Sequence, residues 1–85
     1  MKKAHKNIPD TPGVYLMKNT AGEVIYVGKA GNLRRRVASY FQRPHDYRIQ
    51  KMVNEIRKID YKKTDTAIEA LILESELIKK YQSVY

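Results

Sequence analysis

Val24-Ile25-Tyr26-Val27-Gly28-Lys29-Ala30-Gly31-Asn32-Leu33-Arg34-Arg35-Arg36 joins a short apolar run to a helix loaded with cations. The run is rich in β-branched residues and short enough for a buried strand. Gly28 and Gly31 permit a tight turn and close approach of another backbone or a phosphate. Asn32 is placed to cap a helix beginning at Leu33, which leaves free N–H groups and a partial positive charge near Lys29. A tyrosine, a lysine and a helix N-terminus thus meet within about a dozen residues. That is a site for handling an anion.

The rest of the chain bounds what such a site serves. Eighty-five residues make one domain with a thin core, and the absence of cysteine excludes disulfides and thiolate metal sites. No apolar stretch approaches the ~18 residues that span a membrane. Met1-Lys2-Lys3-Ala4-His5-Lys6 has the basic start of a signal peptide, but no apolar core follows. The chain is therefore expected to be soluble and cytoplasmic. The net charge of +8 is unevenly spread: residues 1–43 carry nine Lys/Arg against two acids, whereas residues 44–85 carry eight against seven. Cations gathered around a glycine-rich turn favour a polyanion partner, nucleic acid before membrane.

Upstream, Ile8-Pro9-Asp10-Thr11-Pro12-Gly13 reads as a stiff extended entry. Gly13–Lys18 is a strand candidate, Asn19–Gly22 a turn and Glu23–Gly28 a second strand, together an antiparallel hairpin. Alternation sets Tyr15 and Met17 opposite Val14 and Leu16. It sets Tyr26 with Val24 and Gly28, opposite Ile25 and Val27. In the helix from Leu33 to about Phe41, spacing gathers Leu33, Val37, Tyr40 and Phe41 on one face. Arg35 falls on the far side, in solvent, while Arg36 lies about 40° from Tyr40, where its head can reach a cleft. Arg34 and Arg35 read as a solvated face or as non-specific phosphate contacts.

Downstream, Gln42-Arg43-Pro44-His45 breaks the helix, and Asp46 caps a second one from Tyr47 to about Lys58 with Ile49, Met52, Val53 and Ile56 inward. His45 has no partner in the sequence for metal binding and receives no role. Ile59–Asp65 is a third strand, with Ile59 and Tyr61 on one side. Thr66 and Glu69 form a capping box for a last helix running to about Tyr81. Its apolar face collects Ala67, Leu71, Ile78 and Tyr81, flanked by Ile68, Ala70 and Leu77. Glu69, Glu76 and Lys80 lie opposite, with Glu76 and Lys80 forming an i, i+4 pair. Glu74 projects into the apolar face. An ionised carboxylate there costs several kcal/mol unless a cation or metal compensates it. Either Glu74 is salt-bridged, for example to Arg36 or Lys29, or it belongs to a functional site. The order β-β-α-α-β-α predicts an α+β fold, a small sheet with helices packed against it.

The half-motifs Gly13-Val14-Tyr15 and Tyr26-Val27-Gly28 resemble those of the GIY-YIG nuclease superfamily. With the surrounding PGVYLMK, VIYVGKAGNLRRRVASYF and ALILESELIKKY, nearly the whole chain is similar to the UvrC branch, the bacterial excision-repair nucleases. The resemblance implies a three-stranded antiparallel sheet flanked by helices, in a single nuclease domain over residues 1–85 at the N-terminal end of a longer protein. It implies hydrolysis of a DNA phosphodiester with one divalent metal (Mg²⁺ or Mn²⁺) on Glu74. Tyr26 would activate water, and Tyr15, Lys29, Arg36 and Tyr40 would line the site. Lys29, Asn32, Arg34, Arg35 and Arg36 would contact DNA. A phenol of ordinary pKa about 10 needs roughly 4 kcal/mol of help to ionise near pH 7. Lys29, Arg36 and the metal are the sources available. In the excision-repair branch the expected role is the 3′ incision on damaged double-stranded DNA, as a monomer positioned by UvrB. A stand-alone nuclease with another target and a non-catalytic nucleic-acid-binding module are the alternatives. Two departures stand out: the family pattern has an asparagine just beyond Tyr85, and Gly31 occupies a position where lysine is common.

Overall fold

The computed structural model describes residues 7–42, 46–83 and 85. The predicted element order is found: β1 (Gly13–Lys18), β2 (Val24–Ala30), α1 (Leu33–Gln42), α2 (Tyr47–Glu55), β3 (Lys58–Lys63) and α3 (Ala67–Tyr81). The sheet is antiparallel throughout in the order β2-β1-β3, so the hairpin's first strand is central. Its residues 13–17 are all buried, as expected of a strand covered on both faces. Helix α2 stops at Glu55, short of Lys58, because Ile56 turns extended (φ −68°, ψ 128°) and feeds β3. His45 lies outside the described residues. No helix among the described residues is long and apolar enough to cross a membrane.

One sheet face carries Tyr15, Met17 and Ile59 and packs under Leu33, Val37 and Tyr40 of α1 and Met52 and Val53 of α2. The other carries Val14, Leu16 and Val27 and is covered by Ala70 and Leu77 of α3, with Leu73 half-buried beside them. The hairpin turn is held by Asn19, whose Oδ1 accepts from the Ala21 and Glu23 N–H groups, and by Gly22 at φ 82°. Just before that turn the register slips: Met17 faces Tyr26, but Lys18 faces Val24. This bulge reverses the alternation at its start. Val24 therefore packs toward α3 and Ile25 toward the α1 side, the opposite of the predicted faces, while Tyr26, Val27 and Gly28 lie as expected.

The predicted inner face of α3 is also corrected. Ala67, Leu71, Ile78 and Tyr81 are exposed; the inward stripe is Ala70 and Leu77 with half-buried Leu73, rotated by about 90° from the expected one. A lone helix on a three-stranded sheet buries only the strip above Val14, Leu16 and Val27, and α3 turns the small Ala70 side chain and Leu77 onto it. Glu74 lies at the margin of that strip. Glu76 and Lys80 do not come within 4.0 Å of each other; the Lys80 ammonium sits over the Tyr81 ring instead.

Candidate active site

Three phenols converge between β1, β2 and α1. Tyr15 projects from the central strand and its hydroxyl lies 2.8 Å from that of Tyr40. Ring centroids are 6.0 Å apart for Tyr15–Tyr26, 6.0 Å for Tyr15–Tyr40 and 6.5 Å for Tyr26–Tyr40. Gly28 makes this cluster possible. It pairs with Tyr15 across the strands, and a Cβ there would run into the Tyr15 hydroxyl. The close approach predicted at Gly28 is thus made by a phenol, not by backbone or phosphate. Gly31 faces open space and is required by no contact.

Arg36, one turn before Tyr40, places its guanidinium 5.2 Å from the Tyr40 ring centre. Hydrogen bonding to Tyr15 raises the Arg36 pKa, against the opposing effect of burial. Burial and then the charge of Tyr40 hold the Tyr15 phenol far above its ordinary value. Tyr26 is raised too, by burial first and by Tyr40 next; Glu74 adds to the rise and Arg36 opposes it. The expected lowering of Tyr26 is therefore not a property of the chain alone, because one guanidinium does not outweigh burial among phenols.

The helix N-terminus also differs from expectation. Asn32 caps α1 as predicted, its Oδ1 accepting from the Arg35 N–H at 2.9 Å while its carbonyl takes the Arg36 N–H. The Leu33 and Arg34 N–H groups, however, donate to the carbonyls of Thr11 and Pro9. The extended Pro-rich entry folds back over the end of α1 and uses the donors an anion would have needed.

Glu74 settles differently from an ion pair. Its Oε2 accepts the Lys29 backbone N–H at 3.0 Å, a donor that edge strand β2 leaves unpaired. Among the described residues no Lys or Arg side-chain nitrogen lies within 4.0 Å of the carboxylate. No cluster of three or more potential metal ligands occurs among them either. A single half-buried carboxylate fits Mg²⁺, which commonly keeps most of its waters and takes one or two carboxylates plus substrate phosphate.

Next to Glu74, beyond the β2 edge, an open cleft of about 1140 Å³ separates α1 from the first two turns of α3. Lys29, Asn32, Arg35 and Arg36 line one side and Ile68 and Leu71 the other. Arg35, expected in solvent away from the site, faces this cleft along with Arg36. Arg34 does not line it and lies 3.9 Å from Asp10. Neither Ile68 nor Leu71 was singled out in the sequence, where both counted as core of α3. Their signal was an excess of large apolar residues over what one helix face can bury.

Residues 11–85 match the model of the UvrC-like GIY-YIG domain. The chain belongs to that family. UvrABC system protein C of Clostridium botulinum is 56% identical over 82 residues, which cover 94% of this chain and 13% of the relative. The Clostridium acetobutylicum protein is 55% identical over the same shares. This GIY-YIG domain thus spans about one eighth of the length of the curated relatives it matches. Its fold superposes, at a TM-score of 0.88 and 37% identity, on the crystal structure of the GIY-YIG N-terminal endonuclease domain of UvrC from Thermotoga maritima, bound to its catalytic magnesium. The match covers 99% of this chain and 92% of that one.

Proposed function

We propose that this GIY-YIG domain is a divalent-metal-dependent DNA endonuclease that hydrolyses a phosphodiester. We further propose that, as the N-terminal part of a longer cytoplasmic protein working with UvrB, it makes the 3′ incision on damaged double-stranded DNA as a monomer. The observation that carries the chemistry is the Glu74 carboxylate, held by the backbone N–H of Lys29, a residue that lines the basic cleft, and close enough to Tyr26 for its charge to raise that phenol. The magnesium in the T. maritima domain supports the same reading.

Glu74 would hold one Mg²⁺ or Mn²⁺, which when bound neutralises phosphate charge and steadies the leaving oxygen. The Lys29 N–H fixes the carboxylate so that the ligand is oriented in advance. Arg36, anchored over Tyr40, directs its charge toward the phosphate, where negative charge grows in the transition state. The exposed Lys29 ammonium holds a neighbouring phosphate oxygen. Tyr26 is half-buried and close enough to Glu74 for that charge to act on its phenol; once ionised to the phenolate with the help of Lys29, Arg36 and a metal charge at Glu74, it would orient the attacking water and take its proton. Tyr15 and Tyr40, locked hydroxyl to hydroxyl, keep Tyr26 and Arg36 in place. Asn32 and Arg35 steer the strand along α1, and Arg34 adds a peripheral phosphate contact.

The test is nicking of supercoiled DNA with Mg²⁺ or Mn²⁺ by the protein carrying this domain. Cutting should disappear in EDTA and in Glu74→Ala. Undiminished cutting by a clean Glu74→Ala preparation removes Glu74 as the metal ligand. Mapping cuts on a lesion-bearing duplex with and without UvrB tests the 3′ assignment, and cuts indifferent to lesion and partner overturn it.

A further inference from the structure

The cleft beyond β2 has two unlike walls. Lys29, Asn32, Arg35 and Arg36 make one side cationic and polar, while Ile68 and Leu71 make the other apolar. Ile68 is 72% exposed and Leu71 51%, high values for large aliphatic side chains. Leu71 stands one turn before Glu74 and Ile68 two turns before, so the apolar strip leads to the carboxylate. A partner lying here must offer negative charge to α1 and an apolar surface to α3 at once.

From this we infer that Ile68 and Leu71 form a nucleobase-binding wall, and that the cleft takes an unstacked, single-stranded nucleotide next to the phosphate to be cut. The inference rests on the nuclease reading for its occupant. A stacked duplex shows the cleft only phosphates, sugars and base edges, whereas an unstacked nucleotide also presents the flat face of its base. The cleft is only slightly larger than sites for small ligands, which run to ~1,000 Å³. It therefore suits a few nucleotides of one strand, with any flanking duplex lying outside it. With phosphates on Arg35 and Arg36, the base is turned toward α3, where burying aliphatic surface favours it. Ile68 and Leu71 are positioning residues in this scheme; they touch no reacting atom.

Equilibrium binding in EDTA separates this wall from cutting. The probes are a short oligothymidylate and an abasic oligomer of the same length, which keeps sugars and phosphates. The wild-type protein should bind the oligothymidylate about tenfold more tightly than the abasic oligomer. Ile68→Ser with Leu71→Ser should erase that preference and leave abasic binding and the salt slope unchanged. Ile72→Ser, 58% exposed on the same helix but outside the cleft, should keep it. All three side chains are largely solvated, so circular dichroism should report an intact fold for each variant. Equal weakening on both probes, a preference surviving in the double variant, or the same loss in Ile72→Ser would each overturn the wall, as would absence of binding. Metal-dependent nicking is scored separately. Cutting without the base preference removes the wall and leaves the nuclease, whereas the base preference without cutting removes the nuclease and leaves the wall.

Discussion

On the α1 side of the sheet, Tyr15, Tyr40 and Arg36 satisfy one another, hydroxyl to hydroxyl and guanidinium over ring. On the α3 side, Glu74 takes one backbone N–H and meets no cation among the described residues, and the helix turns Leu71 and Ile78 outward on either side of it. In the first region the phenols are held within the protein itself, so changes at Tyr15 and Tyr40 act first on folding. The second is incomplete without something brought to it, so changes there act first on function. That division ranks the expected effects. Glu74→Gln comes first: it should lower metal-dependent cutting about 10³-fold or more, equivalent to ~4 kcal/mol in the barrier. Its thermal stability should move by less than about 1 kcal/mol, because one hydrogen-bond acceptor remains for the Lys29 N–H. A melt as damaged as the activity would place Glu74 with the structural region instead.

Gly28→Ala should produce the next largest effect, on the other side of the ledger. The added methyl would occupy the space of the Tyr15 hydroxyl, so the most central phenol of the cluster must move out of a packed site. Overpacking of this kind costs about 1–3 kcal/mol, and here it also breaks the Tyr15–Tyr40 bond. Gly31→Ala, where the methyl meets nothing, is the matched control and should be nearly neutral. Denaturant melts of the two variants measure the difference. Equal losses would mean that backbone freedom, and not the phenol, is what the second half-motif's glycine provides.

These cases show what was legible in the sequence. The strands, the turn and the caps at Asp46 and Thr66 rest on residues within a few positions of each other, and all are found. Glu74 was legible because a carboxylate among Leu71, Leu77 and Ile78 breaks the pattern wherever the helix face falls. The phase of α3 was not, since the sheet decides which of two apolar strips is covered. Nor was the bulge at Lys18, which depends on pairing across the hairpin and reverses Val24 and Ile25. The chain end behaves in the same way: Tyr85 donates its N–H to the Ile25 carbonyl and its hydroxyl to Glu55, contacts that no local pattern announces.

Tyr15→Phe probes the closed region more gently. Removing one hydroxyl deletes the 2.8 Å Tyr15–Tyr40 hydrogen bond and should cost about 1 kcal/mol at neutral pH. The pH dependence gives the sharper readout. In the fold, burial and Tyr40 raise both Tyr15 and Tyr26, so as pH climbs past about 10 the unfolded chain loses these protons first. Their stabilisation is fully present below that value and declines above it as the folded phenols are approached. Tyr15→Phe removes the most deeply buried of the raised phenols and should flatten the decline between pH 10 and about 11. An unchanged slope in alkaline melts would show that Tyr15 ionises as freely in the fold as outside it.

The smallest effect is expected at Asn32, where the two regions meet. Its Oδ1 caps α1 through the Arg35 N–H, and its side chain also lines the cleft. If the end of α1 were an anion site, Asn32→Ala would uncover a donor and tighten binding of phosphate. The other early donors are already taken by Thr11 and Pro9, so a single N–H gives no such site. Asn32→Ala should therefore lower stability by about 1 kcal/mol and leave the affinity for inorganic phosphate unchanged. Phosphate that bound more tightly to the variant would show that the entry segment yields its hydrogen bonds, and would return the helix N-terminus to the substrate site. The absence of any change ties the cationic wall to the side chains of Lys29, Arg35 and Arg36, and leaves the cap as a structural device at the edge of the cleft.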